Sequence, residues 1–109
     1  MLNEIEELTN QFITQLMPER IYLFGSYASG TSNENSDLDF YIVVKDDISD
    51  VVSLTTQAYR SIRQVKKHPV DIIVGTTSRF EDRKNIPSIE NEVYQKGLLL
   101  YGTGNEKMD

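Results

Sequence analysis

LFGSYASGTSNENSDLDFYIVV, Leu23 to Val44, runs out of an apolar strand into Gly25-Ser26, spends ten residues on small and polar groups, and places two aspartates at the mouth of a second strand. The β-branched and aromatic stretch RIYLF, Arg20 to Phe24, predicts a strand broken by Gly25, and a further strand is predicted from about Asp37 to Val44. Side chains alternate along a strand, so Asp37 and Asp39, separated by Leu38, project from one face. Two carboxylates that close repel each other. A cation or a proton is therefore expected between them.

Outward from this stretch, the apolar residues Leu2, Ile5, Leu8, Phe12, Ile13 and Leu16 recur at helical steps and predict a helix ended by Pro18. Val51, Leu54, Ala58, Ile62 and Val65 predict a second, with Ser49 or Asp50 as N-cap and Lys66 and Lys67 at the negative end of its dipole. HPVDIIVGT supplies a third strand, Val70 to Val74. SIENEVYQKG holds a helix closed by Gly97, followed by the short extended segment LLLYG. No repeat or linker interrupts the pattern. It predicts one α/β (α+β) domain over residues 1–102, helices packed on a small mixed sheet, with 103–109 a frayed tail.

At 109 residues the chain has room for a single hydrophobic core and none for a separate substrate-binding domain. No apolar run approaches the roughly 18–20 residues that span a bilayer, and the first residues lack the pattern of a signal peptide, so no membrane role and a cytoplasmic location are expected. The absence of cysteine removes disulfides and thiolate metal sites. Seventeen acidic residues against eleven basic ones give a formal net charge of −6, which opposes direct attachment to nucleic acid phosphates.

The chemistry concentrates at both ends of the opening stretch. Asp71 stands at the start of the third strand, and in matching register beside the second its side chain reaches the point where Asp37 and Asp39 project. Three such carboxylates call for a divalent cation, and all-oxygen ligands favour Mg²⁺ or Mn²⁺ over zinc. At the other end, Gly25 lets the backbone approach a phosphate closely, while the Ser26 hydroxyl and the N–H groups of Ser26 and Tyr27 can donate to its oxygens. Phosphate at one end and bridging metal at the other is equipment for phosphoryl or nucleotidyl transfer.

Gly25-Ser26, ten residues from Tyr27 to Ser36, then Asp37-Leu38-Asp39 resembles the Gly-Ser-x10-Asp-x-Asp signature of the DNA polymerase β-like nucleotidyltransferases, in their minimal single-domain branch. The resemblance extends to IYLFGS, SDLDFYIVV, VDIIV and the closing EVYQKGLLLYG, so it covers most of the chain. It implies the polymerase β-like fold, metal binding and catalysis by Asp37, Asp39 and Asp71, contacts from Gly25 and Ser26 to a nucleoside triphosphate, and ATP as the donor of AMP. It also implies a partner: minimal members are commonly paired with an adjacently encoded HEPN-domain RNase toxin and act as its antitoxin by adenylylating a tyrosine. An acidic surface suits a basic partner of that kind.

One departure is Ser29, which stands where many relatives carry arginine in Gly-Ser-x-Ala-Arg-Gly; the missing guanidinium removes a bidentate donor for phosphate. Ser29 is the best support for a second reading, an antitoxin that only covers its toxin. A third reading, aminoglycoside-type transfer to a small molecule, is disfavoured by the chain's size. His68 is expected to be an exposed loop residue, Arg79, Arg83 and Lys84 to lie on a solvated face, and Tyr22, Tyr41 and Tyr59 to be core.

Overall fold

The computed structural model describes residues 2–102, so the expected tail at 103–109 lies outside the described residues. Helix α1, Leu2–Leu16, buries Ile5, Leu8, Phe12 and Leu16 along one stripe. Met17 ends it with a left-handed φ of 50°, donating its N–H to the Ile13 carbonyl at 3.0 Å, and Pro18 prevents any continuation. The other elements are β1 (Arg20–Phe24), the single turn α2 (Ser26–Ser29), β2 (Leu38–Val44), α3 (Val51–Ile62), β3 (Val70–Thr76), α4 (Thr77–Arg83), α5 (Ile89–Lys96) and β4 (Leu98–Gly102).

The strands form one mixed sheet in the order β3-β2-β1-β4. β1 pairs antiparallel with β2 and β4, while β2 and β3 are parallel and joined through α3. Period-two alternation splits the sheet residues between two cores. Ile21, Leu23, Leu38, Phe40, Ile42, Val70, Ile72 and Val74 pack with α1 and α3 on one face. Tyr22, Phe24, Tyr41 and Val43 pack on the other against Phe80 of α4 and Val93 of α5. Full burial of one such large side chain contributes about 1.5–3 kcal/mol, and both faces of β2 are supplied this way. β1 and β2 are the two inner strands, buried on both faces, and β2 carries Asp39 into the site.

Several elements differ from the sequence expectation. β2 begins at Leu38, which leaves Asp37 just outside it. α3 is capped by Asp50, whose carboxylate accepts from Ser53 N–H at 2.9 Å, but it ends at Ile62. Arg60 therefore occupies its last turn, and Lys66 and Lys67 lie beyond its dipole. α4 is a helix where a charged surface run was expected, because Phe80 is fully buried and Thr76 caps the first turn. Gly97 does close α5, with φ −75° and ψ 163°, so its need for glycine is spatial: a Cβ there would lie 2.5 Å from the Val93 carbonyl oxygen. Among the described residues no helix is long and apolar enough to cross a membrane.

Candidate active site

The register brings the sequence-predicted residues to one end of the sheet. Asp39 stands opposite Phe24, the last residue of β1, on one side and opposite Asp71 of β3 on the other. Both acids point to the α4/α5 face, because their neighbours Leu38, Phe40, Val70 and Ile72 all enter the opposite core. Asp39 is half-buried; Asp71 and Asp37 are exposed. The mouth of β2 is tied to β3 one step earlier, where Leu38 N–H donates to the Pro69 carbonyl at 2.9 Å.

Gly25 follows β1 directly with φ 79° and ψ −152°, a region that glycine alone occupies comfortably. A Cβ built on it would lie 2.2 Å from Asp39 Oδ2. The glycine backbone therefore rests against the carboxylate, and the strand exit and the acid form a single site. Ser26 opens α2, closed by Gly30 at φ 82°. The Ser29 hydroxyl donates to the Ser26 carbonyl at 3.2 Å and lies 3.0 Å from the Thr31 hydroxyl. The residue in the family's arginine position thus helps close its own loop. Asn33 and Ser36 then form a turn through Ser36 N–H to the Asn33 carbonyl at 3.0 Å and Asn33 N–H to Ser36 Oγ at 2.9 Å.

Burial pushes the Asp39 carboxyl up to about 6, and the negative charges of Asp71 and Asp37 add to the effect. Asp39 and Asp71 lie close enough to share a hydrogen bond when one of them is protonated, and Glu92 of α5 contributes a further repulsion. Asp37 acts on Asp39 through its field. Among the described residues no three carboxylate or imidazole groups form a ready-made metal cage. The arrangement is a facing pair with an outlying third acid, because Asp37 precedes the strand that would fix it. Hard oxygen donors that repel one another beside a backbone cradle fit a Mg²⁺- or Mn²⁺-type ion, with Asp39 and Asp71 as the facing ligands and Asp37 within reach of the same end.

Sequence reasoning missed two parts of this neighbourhood. Glu92 is one; the other is the ionic knot behind the acids. Glu90 of α5 is fully buried and accepts from the Tyr41 hydroxyl at 2.7 Å, from Arg79 Nε at 3.1 Å and from Arg83 Nε at 3.0 Å. Arg79 and Arg83, expected on a solvated face, are thus ion-paired, and Lys84 pairs with Glu81 at 2.6 Å. No signal in the sequence links these residues, since the contacts depend on how α4 and α5 fold back over β2. His68 is likewise half-buried rather than exposed, with Nδ1 2.7 Å from Glu4 Oε1. Tyr22 and Tyr41 are core as expected, whereas Tyr59 is 40% exposed and its hydroxyl accepts from Ile72 N–H at 2.9 Å.

The family model for polymerase beta, nucleotidyltransferase, matches residues 6–106. This chain belongs to the polymerase beta nucleotidyltransferase family. It is 31% identical over 106 residues to a Methanocaldococcus jannaschii chain named for protein adenylyltransferase activity, covering 92% of this chain and 100% of that one. In fold it is similar to a toxin–antitoxin complex solved with AMP-PNP, at TM-score 0.55 and 24% identity, over 97% of this chain and 77% of that one. It is also similar in fold to the spectinomycin adenyltransferase AAD(9) of Enterococcus faecalis solved with ATP and spectinomycin, at TM-score 0.63 and 15% identity, over 98% of this chain but 57% of that one. The nucleotidyltransferase assignment follows from the family match and the M. jannaschii relative, and the structural likenesses agree on the fold.

Proposed function

We propose that this nucleotidyltransferase moves AMP from ATP to a hydroxyl of a protein, in a metal-dependent reaction, and that the acceptor is a HEPN-family RNase toxin which it silences as an antitoxin. The observation that carries the catalytic part is the Asp39–Asp71 pair held against the Gly25 backbone. The protein acceptor is supported by the M. jannaschii relative, which is named for protein adenylyltransferase activity. The pairing with a toxin draws on the sequence resemblance and on the toxin–antitoxin complex of similar fold.

In this reading Gly25 and Ser26 receive the triphosphate, the glycine by letting the backbone approach and the serine by donating to phosphate oxygens. Asp37, Asp39 and Asp71 would hold a divalent ion, Mg²⁺ or Mn²⁺, which when bound would supply positive charge to offset that of the phosphates. The acceptor oxygen forms its bond to the α-phosphorus as the bond to the bridging oxygen breaks. Pyrophosphate leaves, and the hydroxyl proton passes to a carboxylate of the Asp39–Asp71 pair.

Incubation with α-labelled ATP, Mg²⁺ and the co-purifying partner tests the proposal. Label should enter the partner and not water-soluble small molecules. A second reading, neutralisation by binding alone, is favoured by one observation: Ser29 spends its hydroxyl within its own loop and offers no guanidinium to phosphate. Release of pyrophosphate from ATP with no label in any protein would overturn the protein-acceptor proposal.

A further inference from the structure

Residues 51–70 contain no Asp or Glu but four of the chain's eleven Lys and Arg, in a protein of net charge −6. These four, Arg60, Arg63, Lys66 and Lys67, lie in the last turn of α3 and the segment leading to β3, all exposed. Among the described residues none of them takes part in an ion pair. Glu7 of α1 lines the same shallow groove as Lys67 without pairing with it.

Their position is fixed relative to the candidate active site. Tyr59, one residue before Arg60, accepts from the N–H of Ile72, the residue after Asp71. β3 is the edge of the sheet, so on this side no further strand stands outside Asp71. The turn itself is clamped: Val65 and Lys66 N–H both donate to the Ile62 carbonyl at 2.9 Å, and the N–H groups of Lys67 and His68 donate to the buried carboxylate of Glu4. Pro69 completes the clamp by accepting from Leu38, the residue between Asp37 and Asp39. A backbone secured to α1 at one end and to the acid-bearing strand at the other presents its cations from a rigid base.

We propose that this turn, with Arg60, Arg63, Lys66 and Lys67, is a docking rim that receives an acidic segment of the acceptor protein beside the hydroxyl to be modified. The proposal rests on the reading above that the acceptor is a protein. An acidic peptide matches four unpaired cations without bringing charge across the rest of the site. A nucleic acid strand, with one charge per phosphate along its length, is opposed by a chain whose net charge is −6. A partner of net basic charge is compatible with this local preference, since the overall field guides approach and the rim reads one segment.

The test is an amide NMR titration of the full chain with three probes: a tyrosine peptide flanked by glutamates, its lysine-flanked counterpart, and oligouridylate. The glutamate peptide should shift amides of residues 60–72, with binding that weakens as salt rises. The Arg63→Glu, Lys66→Glu, Lys67→Glu variant should lose at least tenfold in affinity for that peptide, and the milder Lys66→Ala, Lys67→Ala variant should lose affinity in the same direction. Absence of shifts in the wild type, unchanged affinity in both variants, or tighter oligouridylate binding at these amides overturns the proposal. Calorimetry with Mg-ATP and labelled transfer to the partner protein keep the two readings apart. Peptide binding lost in the wild type while transfer persists removes the rim alone, whereas peptide binding intact with no label entering protein removes the acceptor assignment.

Discussion

Gly25 and Asp39 compete for the same space, and this is where single substitutions are most informative. Gly25→Val would force a side chain into Asp39 Oδ2 and strain a positive φ, so Mg-ATP affinity measured by calorimetry should fall well beyond the effect of Ser26→Ala. The serine change loses one charge-assisted hydrogen bond, about 1–2 kcal/mol. Equal affinities in wild type and both variants would place the phosphate elsewhere. Asp39→Asn should abolish transfer yet stabilise the metal-free protein at neutral pH. The folded Asp39 titrates at about 6 against an ordinary value of 3.8, so the fold holds its proton more tightly than the unfolded chain does. Stability therefore falls as pH rises through that window, with the full penalty present above it. The melting-temperature advantage of Asp39→Asn should be largest near pH 7.5 and shrink toward pH 4; an advantage that grows on acidification contradicts the assignment. The acids and the Gly-Ser exit were legible in the sequence because their spacing on a strand is local geometry. Glu92 was not, since its approach to Asp39 depends on the docking of α5.

At the scale of elements, the strands and the two long helices follow from periodicity, while α4 does not. TSRFEDR contains a single large apolar residue, and Phe80 becomes helical core only because Tyr22 and Tyr41 wait beneath it, with ring centroids 5.3 and 5.4 Å away. Glu90 then ties α4 to α5 and both to β2, two residues from Asp39. Glu90→Gln should cost about 1–3 kcal/mol, the range for a buried polar group that loses its best partners, and less than a fully enclosed ion pair would. Arg79 and Arg83 have side chains 56% and 39% exposed and can recover water. In a domain of this size that is a fall of several degrees in melting temperature. Gly75 makes a companion test. A Cβ there would lie 2.3 Å from the Tyr41 hydroxyl, so Gly75→Ala should displace the tyrosine from Glu90 and destabilise without touching an acid of the site. Calorimetric unfolding of both variants unchanged from wild type would show that the knot contributes nothing.

For the molecule as a whole, the question is whether the acidic chain acts by turnover or by coverage. Its net charge of −6 favours encounter with a basic partner in either case, so association rate and salt dependence do not discriminate. Stoichiometry does. If the proposed transfer is correct, catalytic amounts with ATP and Mg²⁺ should silence a HEPN toxin, the toxin should gain the mass of AMP on a tyrosine, and silencing should persist after this chain is removed. Coverage requires equimolar protein, needs no ATP, and survives Asp37→Asn combined with Asp39→Asn, because an interface can lose two site acids and keep its contact area. The enzymatic outcome is expected here because Asp39 is not placed as a surface residue would be. Asp39 is half-buried, faces Asp71 in register and rests on a glycine backbone, an arrangement whose repulsion is costly unless something positive is bound there. Mass spectrometry of the treated toxin decides: an inhibited but unmodified partner means that the acid pair is not used for transfer to it.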